Sequence, residues 1–454
     1  RVDRESCDES SSRLPATSGC AQVQETFLDR MGLTWRDATA LLGAHTLGRG
    51  SADFSGHEGT WMDTDEESSV FDKRFYDEIF RRAWFPRQNE NAGTDWTWGG
   101  NNRAVTSMAL NTDICLAFDI PEGDDQACCT DINSGNCRGN FDNVQCPFAN
   151  EVRPEAFAAV EEFSAGGNNN GNNGPFYAGF STAWEKATEN GHAGLSGIQS
   201  TCPLCTDDSD CDDGNLCNGM ETCNFDSGVG LCVAGTPTEC LSDGIDCNGQ
   251  EICNPTTGIC ESSTPENCCS TNQDCDDGTF CNGLETCDLS VGGECVAGTW
   301  ACGSCMDSTA YTKLLEDVAA IGNAINNRGD RGHFWGGILR LAAHDFMDYD
   351  QNASPALGEF TGGMDGCIDF TADDNKGLEV IWCDGGACPL KNLYDASYSF
   401  MSRADFWVAS ANAAIHASSP TGLELPFKWG RVDRESCVES SARLPAASGC
   451  SHVQ

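Results

Sequence analysis

The chain has 454 residues, with 26 basic against 70 acidic side chains, a formal net charge of −44, and 30 cysteines. Such a charge repels nucleic acid and anionic membranes and suits divalent cations and solubility, and the length allows two to four domains. So many cysteines point to an oxidising, secreted or extracellular setting, because cytosolic reductants keep them as thiols, and no run approaches the ~20 apolar residues of a membrane span.

The opening segment, RVDRESCDESSSRLPATSGCAQVQ over residues 1–24, returns as RVDRESCVESSARLPAASGCSHVQ over 431–454. Only positions 8, 12, 17, 21 and 22 differ, so 19 of 24 match. A repeat spaced by 430 residues is too long for a solenoid. It fits one large domain plus a spacer, repeated as a tandem or head-to-tail polymer. The chain starts without Met or a signal peptide, which reads as a mature or partial secreted protein.

After the opening segment, TWRDATALLGAHTLG carries an apolar helical pattern, with Thr34 three residues before Asp37 as a capping box. SGHEGTW, FDKRFYDEIF and LNTDICLAFD follow, and GPFYAGFSTAWEKATENGH closes the first region near Ile198. From Cys202 to Cys305 the composition changes to 18 cysteines with almost no apolar run. Cys205, Cys211, Cys217, Cys223 and Cys232 recur as Cys269, Cys275, Cys281, Cys287 and Cys295, and a shorter unit holds Cys240, Cys247, Cys253 and Cys260. Such modules cannot bury a sufficient core and need disulfides; they resemble EGF-like extracellular modules, and a stiff spacer is the simplest reading. Zinc is the weaker alternative, since CxxC occurs only at 202–205 and 302–305. Asp207–Asp213 and Asp274–Asp277 read as solvated acidic loops or as calcium loops.

The last region opens with the helical run YTKLLEDVAAIGNAI. In GGILRLAAHDFMDYD, Arg340 and His344 stand four apart, on one face of a helix. An imidazole can take and return a proton near neutral pH, and a guanidinium can stabilise developing negative charge. GGMDGCIDF, DDNKGLEVI and SRADFWVASANAAI follow. Arg328-Gly329-Asp330 and the sequon at Asn352 are short enough to arise by chance.

Arg-x-x-x-His-Asp at 340–345 and Ala-His-Thr-Leu-Gly at 44–48, with their companion motifs, resemble the plant, fungal and bacterial haem peroxidase superfamily over nearly everything outside 202–305. The resemblance implies a mainly α fold binding haem b and using hydrogen peroxide with a small reductant. It implies His45 as the axial iron ligand and Asp113 as the carboxylate accepting its hydrogen bond, with Ser107 as a second possible register. Trp61 matches a tryptophan below the haem and reads equally as a core aromatic. Arg340 and His344 would act on peroxide, with Asn375 orienting His344. Two calcium sites are implied: Asp345, Gly363 and Asp365 on the distal side, and Thr46, Val70 and Asp72, with a residue of Asp63–Asp65, on the proximal side.

The family places its distal half first, whereas here the distal residues come last. The expected organisation is therefore a proximal half at 1–200, a Cys-rich spacer at 201–305, and at 306–454 the distal half of the next domain. Ala343 stands where the family has Phe or Trp and opens the distal pocket. Cys367 replaces a calcium-binding Ser, and a disulfide there would remove that ligand. Phe54 replaces an ascorbate-binding Arg. Three functions follow: an extracellular filament or wall protein with haem peroxidase domains, the same filament with inactive domains, or a calcium-dependent adhesion protein.

Overall fold

In a computed structural model, the structure describes residues 19–51, 57–88, 94–98, 108–120, 128–130, 145–165, 171–192, 195–198, 306, 308–353, 361–372, 375–382 and 388–434, together with six short strands between 222 and 296. Phe54, Ser107, the CxxC pairs and most of the acidic loops lie outside the described residues. The chain divides into two compact units. One joins Arg1–Ser196 to Thr312–Gln454, and the other is Gly197–Tyr311.

The first unit is mostly helical. In chain order its helices are α1 (Gly19–Val23), α2 (Trp35–Leu42), α3 (Arg74–Arg81), α4 (Asn111–Ile114), α5 (Pro154–Ser164), α6 (Gly174–Glu189), α7 (Ser308–Asn323), α8 (Arg328–Phe346), α9 (Leu378–Trp382), α10 (Pro389–Leu393) and α11 (Arg403–Ser418). The capping box opening α2 is present: Thr34 Oγ1 accepts from Asp37 N–H at 3.1 Å, and Thr34 N–H donates to Asp37 Oδ2 at 3.1 Å. These contacts satisfy amides that the first helical turn would leave unpaired. A 3₁₀ turn, Gly43–Thr46, carries the chain out of α2 and presents His45. A Cβ at Gly43 would lie 2.3 Å from the Tyr76 hydroxyl. Only glycine lets α2 end this close to α3, so the position of His45 depends on it.

The two ends of the sequence pack together within one chain. In one chain, residues 1–196 and 312–454 thus lie in the same compact unit. Trp184 Nε1 of α6 donates to Asn412 Oδ1 of α11 at 2.9 Å, and Phe71 N–H donates to Ser418 O at 3.1 Å. Burying apolar faces supplies the driving force, and these bonds fix the register. α8 packs on α11 and reaches back to the turn that follows His45. Its glycines allow that approach: a Cβ at Gly332 would come within 2.7 Å of Ser68 O, and one at Gly336 within 3.0 Å of Leu47 O. Gly332→Leu is expected to lower stability by about 1–3 kcal/mol, because backbone would have to move to accommodate it; urea unfolding measures this.

In the second unit the described residues form three two-stranded antiparallel ribbons, 222–224 with 231–233, 251–253 with 260–262, and 286–288 with 294–296. Their registers set Cys223 opposite Cys232, Cys253 opposite Cys260 and Cys287 opposite Cys295. The three ribbons follow the internal repeat of the sequence.

Candidate active site

One cavity of about 260 Å³ is lined by both His45 and His344, so residues some 300 positions apart in sequence share one space. Its wall is mainly apolar, with Phe27, Leu41, Leu110, Leu378 and Ile381.

On the proximal wall, three donors converge on the fully buried Asp113. His45 Nδ1 lies 2.8 Å from Oδ1, while Trp61 Nε1 at 2.7 Å and Leu110 N–H at 2.7 Å reach Oδ2. A carboxylate can only accept, so the His45 ring proton is assigned to Nδ1. Nε2 then keeps its lone pair for a ligand, the arrangement that orients metal-binding histidines. Trp61 stacks on His45, with ring centroids 4.4 Å apart and planes inclined by 18°. The indole thus holds the imidazole plane and also anchors the carboxylate. Trp61→Phe is expected to cost about 1–3 kcal/mol, since it removes a donor from a buried acceptor; thermal unfolding reads this out.

On the distal wall, α8 carries Arg340 and His344 one turn apart. Arg340 Nε donates to His344 Nε2 at 3.2 Å, and Arg340 Nη1 donates to Lys376 O at 2.9 Å. His344 Nδ1 faces Asn375 Oδ1 at 2.8 Å, and Asn375 Nδ2 donates to Asp369 O at 2.9 Å. The Asp369 carbonyl thereby fixes the amide, the amide fixes the imidazole tautomer, and Nε2 is left as the accepting nitrogen. Burial, and then the Arg340 charge, push the His344 pKa down to about 3. The ring is therefore a neutral base from mildly acidic pH upward. Its folded pKa lies below the unfolded value, so this group lowers stability as pH falls from about 6.5 towards 3. A rate limited by His344 should keep its basic plateau down to mildly acid pH, with no inflection near 6.5; a pH–rate profile checks this. Ala343 also lines the cavity, consistent with a distal pocket opened by the missing aromatic ring.

The residues named for the two implied calcium sites make the following contacts with the protein itself. Among the described residues no group of three or more His, Cys, Asp or Glu could hold a metal ion. On the proximal side Thr46 Oγ1 donates to Val70 O at 3.3 Å, and Asp72 is taken by Arg74, whose Nε lies 2.7 Å from Oδ2. On the distal side Asp345 accepts from the amides of Gly366 at 2.7 Å and Cys367 at 3.1 Å. Gly363 donates its amide to Asp348 at 2.7 Å, and Arg434 stands 3.5 Å from Asp365. Cys367 is disulfide-bonded. Burial, with the neighbouring Asp365 and Asp348, pushes the Asp345 carboxyl well above its usual range.

Arg328 pairs with Glu66, and the Arg-Gly-Asp tripeptide forms the first turn of α8. The Asn352 amide donates to Asp29 O at 2.9 Å. The sequence reading did not single out two further cavity histidines, His57 and His333. His57 is paired with Asp95 in the interior. His333 lies seven residues before Arg340, two helical turns along the same face, and that spacing was the available signal.

A carboxylate-anchored histidine thus faces an arginine–histidine pair across an apolar slot. Residues 1–121 match the family model described as Peroxidase, so a peroxidase family domain is present there. The chain is similar to mitochondrial cytochrome c peroxidase of Emericella nidulans, 34% identical over 24% of this chain and 28% of the relative. It is similar to the cytosolic L-ascorbate peroxidase 2 of Oryza sativa subsp. japonica, 40% identical over 15% of this chain and 26% of the relative, and to that of Arabidopsis thaliana, 43% identical over 15% and 26%. Other relatives carry heme binding and peroxidase in their names. The chain spans roughly a quarter of the length of the relatives described here. The family match ends before residue 306, so it is the packing that brings Arg340, His344 and Asn375 to the site.

Proposed function

We propose that the two ends of this chain together form a haem peroxidase site that reduces hydrogen peroxide to water with electrons from a small reductant. The observation that carries this reading is the single cavity bearing both the His45–Asp113–Trp61 group and the Arg340–His344–Asn375 group. The slot fits haem: it offers one imidazole nitrogen with a free lone pair and mostly apolar walls. Haem b held by His45 would supply the electron transfer. His344 Nε2 takes a proton from bound peroxide and returns it to the departing oxygen, and Arg340 steadies the charge on that oxygen. Asp113 keeps the His45 ring oriented and electron-rich.

The Cys20–Cys115 and Cys129–Cys146 disulfides support a secreted or extracellular location. The 24-residue repeat supports self-association of copies into a filament or wall polymer, with the Cys-rich unit as an EGF-like spacer. Calcium at the two implied sites belongs to this reading, with Asp345 and Asp365 on the distal side and Thr46 and Asp72 on the proximal side; a calcium chelator is expected to lower the unfolding midpoint, as calorimetry would show.

The deciding experiment is the absorption spectrum of the full chain supplied with haem, before and after hydrogen peroxide. A Soret band that shifts with peroxide supports the enzyme. A band that does not shift leaves haem bound without turnover, and no band reduces the fold to a structural brick.

A further inference from the structure

The repeated 24-residue element meets the fold at two places, and each is filled by a different copy. The first place is a socket for Arg-Val-Asp-Arg, occupied by residues 431–434. Arg431 is 1% exposed. Its Nη1 donates to Asp405 Oδ1 at 2.6 Å, and its Nε donates to Thr188 O at 2.9 Å. Asp433 accepts from the amides of Arg403 at 2.7 Å and Ala404 at 2.8 Å, so it caps α11. Arg434 N–H donates to Asp365 O at 2.9 Å. The second place is a berth beside α4, occupied by α1 of the other copy. There Cys20 is disulfide-bonded to Cys115, and Val23 is buried.

The residues that make these contacts are shared by both copies. Arg1, Asp3 and Arg4 match Arg431, Asp433 and Arg434; Cys450 and Val453 match Cys20 and Val23. Of the five differences, those at positions 8, 12 and 17 lie outside the described residues, and Ala21 is exposed. The remaining one sets His452 against the buried Gln22, and both side chains can donate and accept.

We infer that socket and berth are the two ends of one binding groove for the whole element, and that its partner ligand is residues 431–454 of a second copy of this chain. The two seen occupants are complementary parts of one sequence: 431–434 supply element positions 1–4, and 19–24 supply positions 19–24. When residues 431–454 seat on the proximal segment of another chain, they take the berth held there by α1 (Gly19–Val23). The distal segment of the first chain then completes the cavity of the second, and exchange of identical elements joins copies without new contacts. This step rests on the self-association reading; the interchange of the two copies does not.

The test uses the full chain with Cys20→Ser, refolded with reduced and oxidised glutathione. Oxidised glutathione takes the two electrons when the Cys450 and Cys115 thiols lose their protons and join. Peptide mapping by mass spectrometry is expected to find Cys115 bonded to Cys450, and C20S/C450S is expected to lose that bond. Species of two or more chains on non-reducing electrophoresis carry the bond between copies. A wholly intrachain bond would keep the interchange and overturn the second-copy partner. Cys115 left as a thiol, or paired with any cysteine other than Cys450, would overturn the groove itself.

Should C20S not fold, the unaltered chain is refolded with an isotope-labelled peptide of residues 431–454. Labelling of Cys115 is expected, with loss of labelling in Asp405→Ala. No labelling of the unaltered chain, or equal labelling of Asp405→Ala, refutes the groove.

Discussion

Replacing His344 with Leu is expected to slow the reaction with hydrogen peroxide by about 10²–10⁴-fold, the usual contribution of a placed general acid–base group. The effect should appear in the rate of the peroxide-induced Soret change in stopped-flow mixing. Haem uptake should persist, because His45 and Asp113 stand on the opposite wall. The substitution also leaves Asn375 Oδ1 without the ring it faces at 2.8 Å, which adds about 1–3 kcal/mol of destabilisation. An Asn375→Ala variant separates the two effects. It keeps the base but frees its orientation, so its rate should fall between those of His344→Leu and the unaltered chain. If His344→Leu reacted as fast as the unaltered chain, the distal assignment would be lost.

The second large effect is expected at Asp405. Asp405→Ala should destabilise the helical unit by about 3–5 kcal/mol, the range for removing one partner of a buried ion pair. Asp405 is 0% exposed; it bonds Arg431 Nη1 at 2.6 Å and accepts from the amides of Gly430 at 2.7 Å and Arg431 at 3.1 Å. Its loss strands the guanidinium and two amides in the interior. Because either copy of the repeat would bring an arginine to this carboxylate, the substitution acts whichever copy is seated. Urea unfolding would show a lower midpoint at an unchanged slope. A double variant, Asp405→Leu with Arg431→Met, should regain much of the loss, since an apolar pair of similar volume removes the unpaired charge. A midpoint unchanged in Asp405→Ala would mean that the pair contributes nothing net.

Much of the site can be read from the sequence because its parts are local. Arg340 and His344 share a helix face through the helical period alone, and Thr34 with Asp37 marks the start of the helix leading to His45. The Cys-rich spacer and its repeat are also visible, because cysteine spacing is a property of the chain. Other assignments needed the fold. Whether Trp61 is a core aromatic or a site residue was open until its indole and the His45 ring met on Asp113, 52 and 68 residues away. The contact of the Asp113 carboxylate with the His45 ring likewise needed the fold.

The sequence by itself marked the helical runs, His45 and His344, the cysteine spacer and the 24-residue repeat, since each depends on composition or on spacing within a few turns. Tertiary structure decided what spacing cannot encode. It joined residues 1–196 and 312–454 in one unit, set Arg74 beside Asp72 and Arg434 beside Asp365, and seated residues 431–434 and α1 at two separate places. These outcomes rest on long-range packing, buried charge and close glycine contacts, whose partners lie hundreds of residues apart.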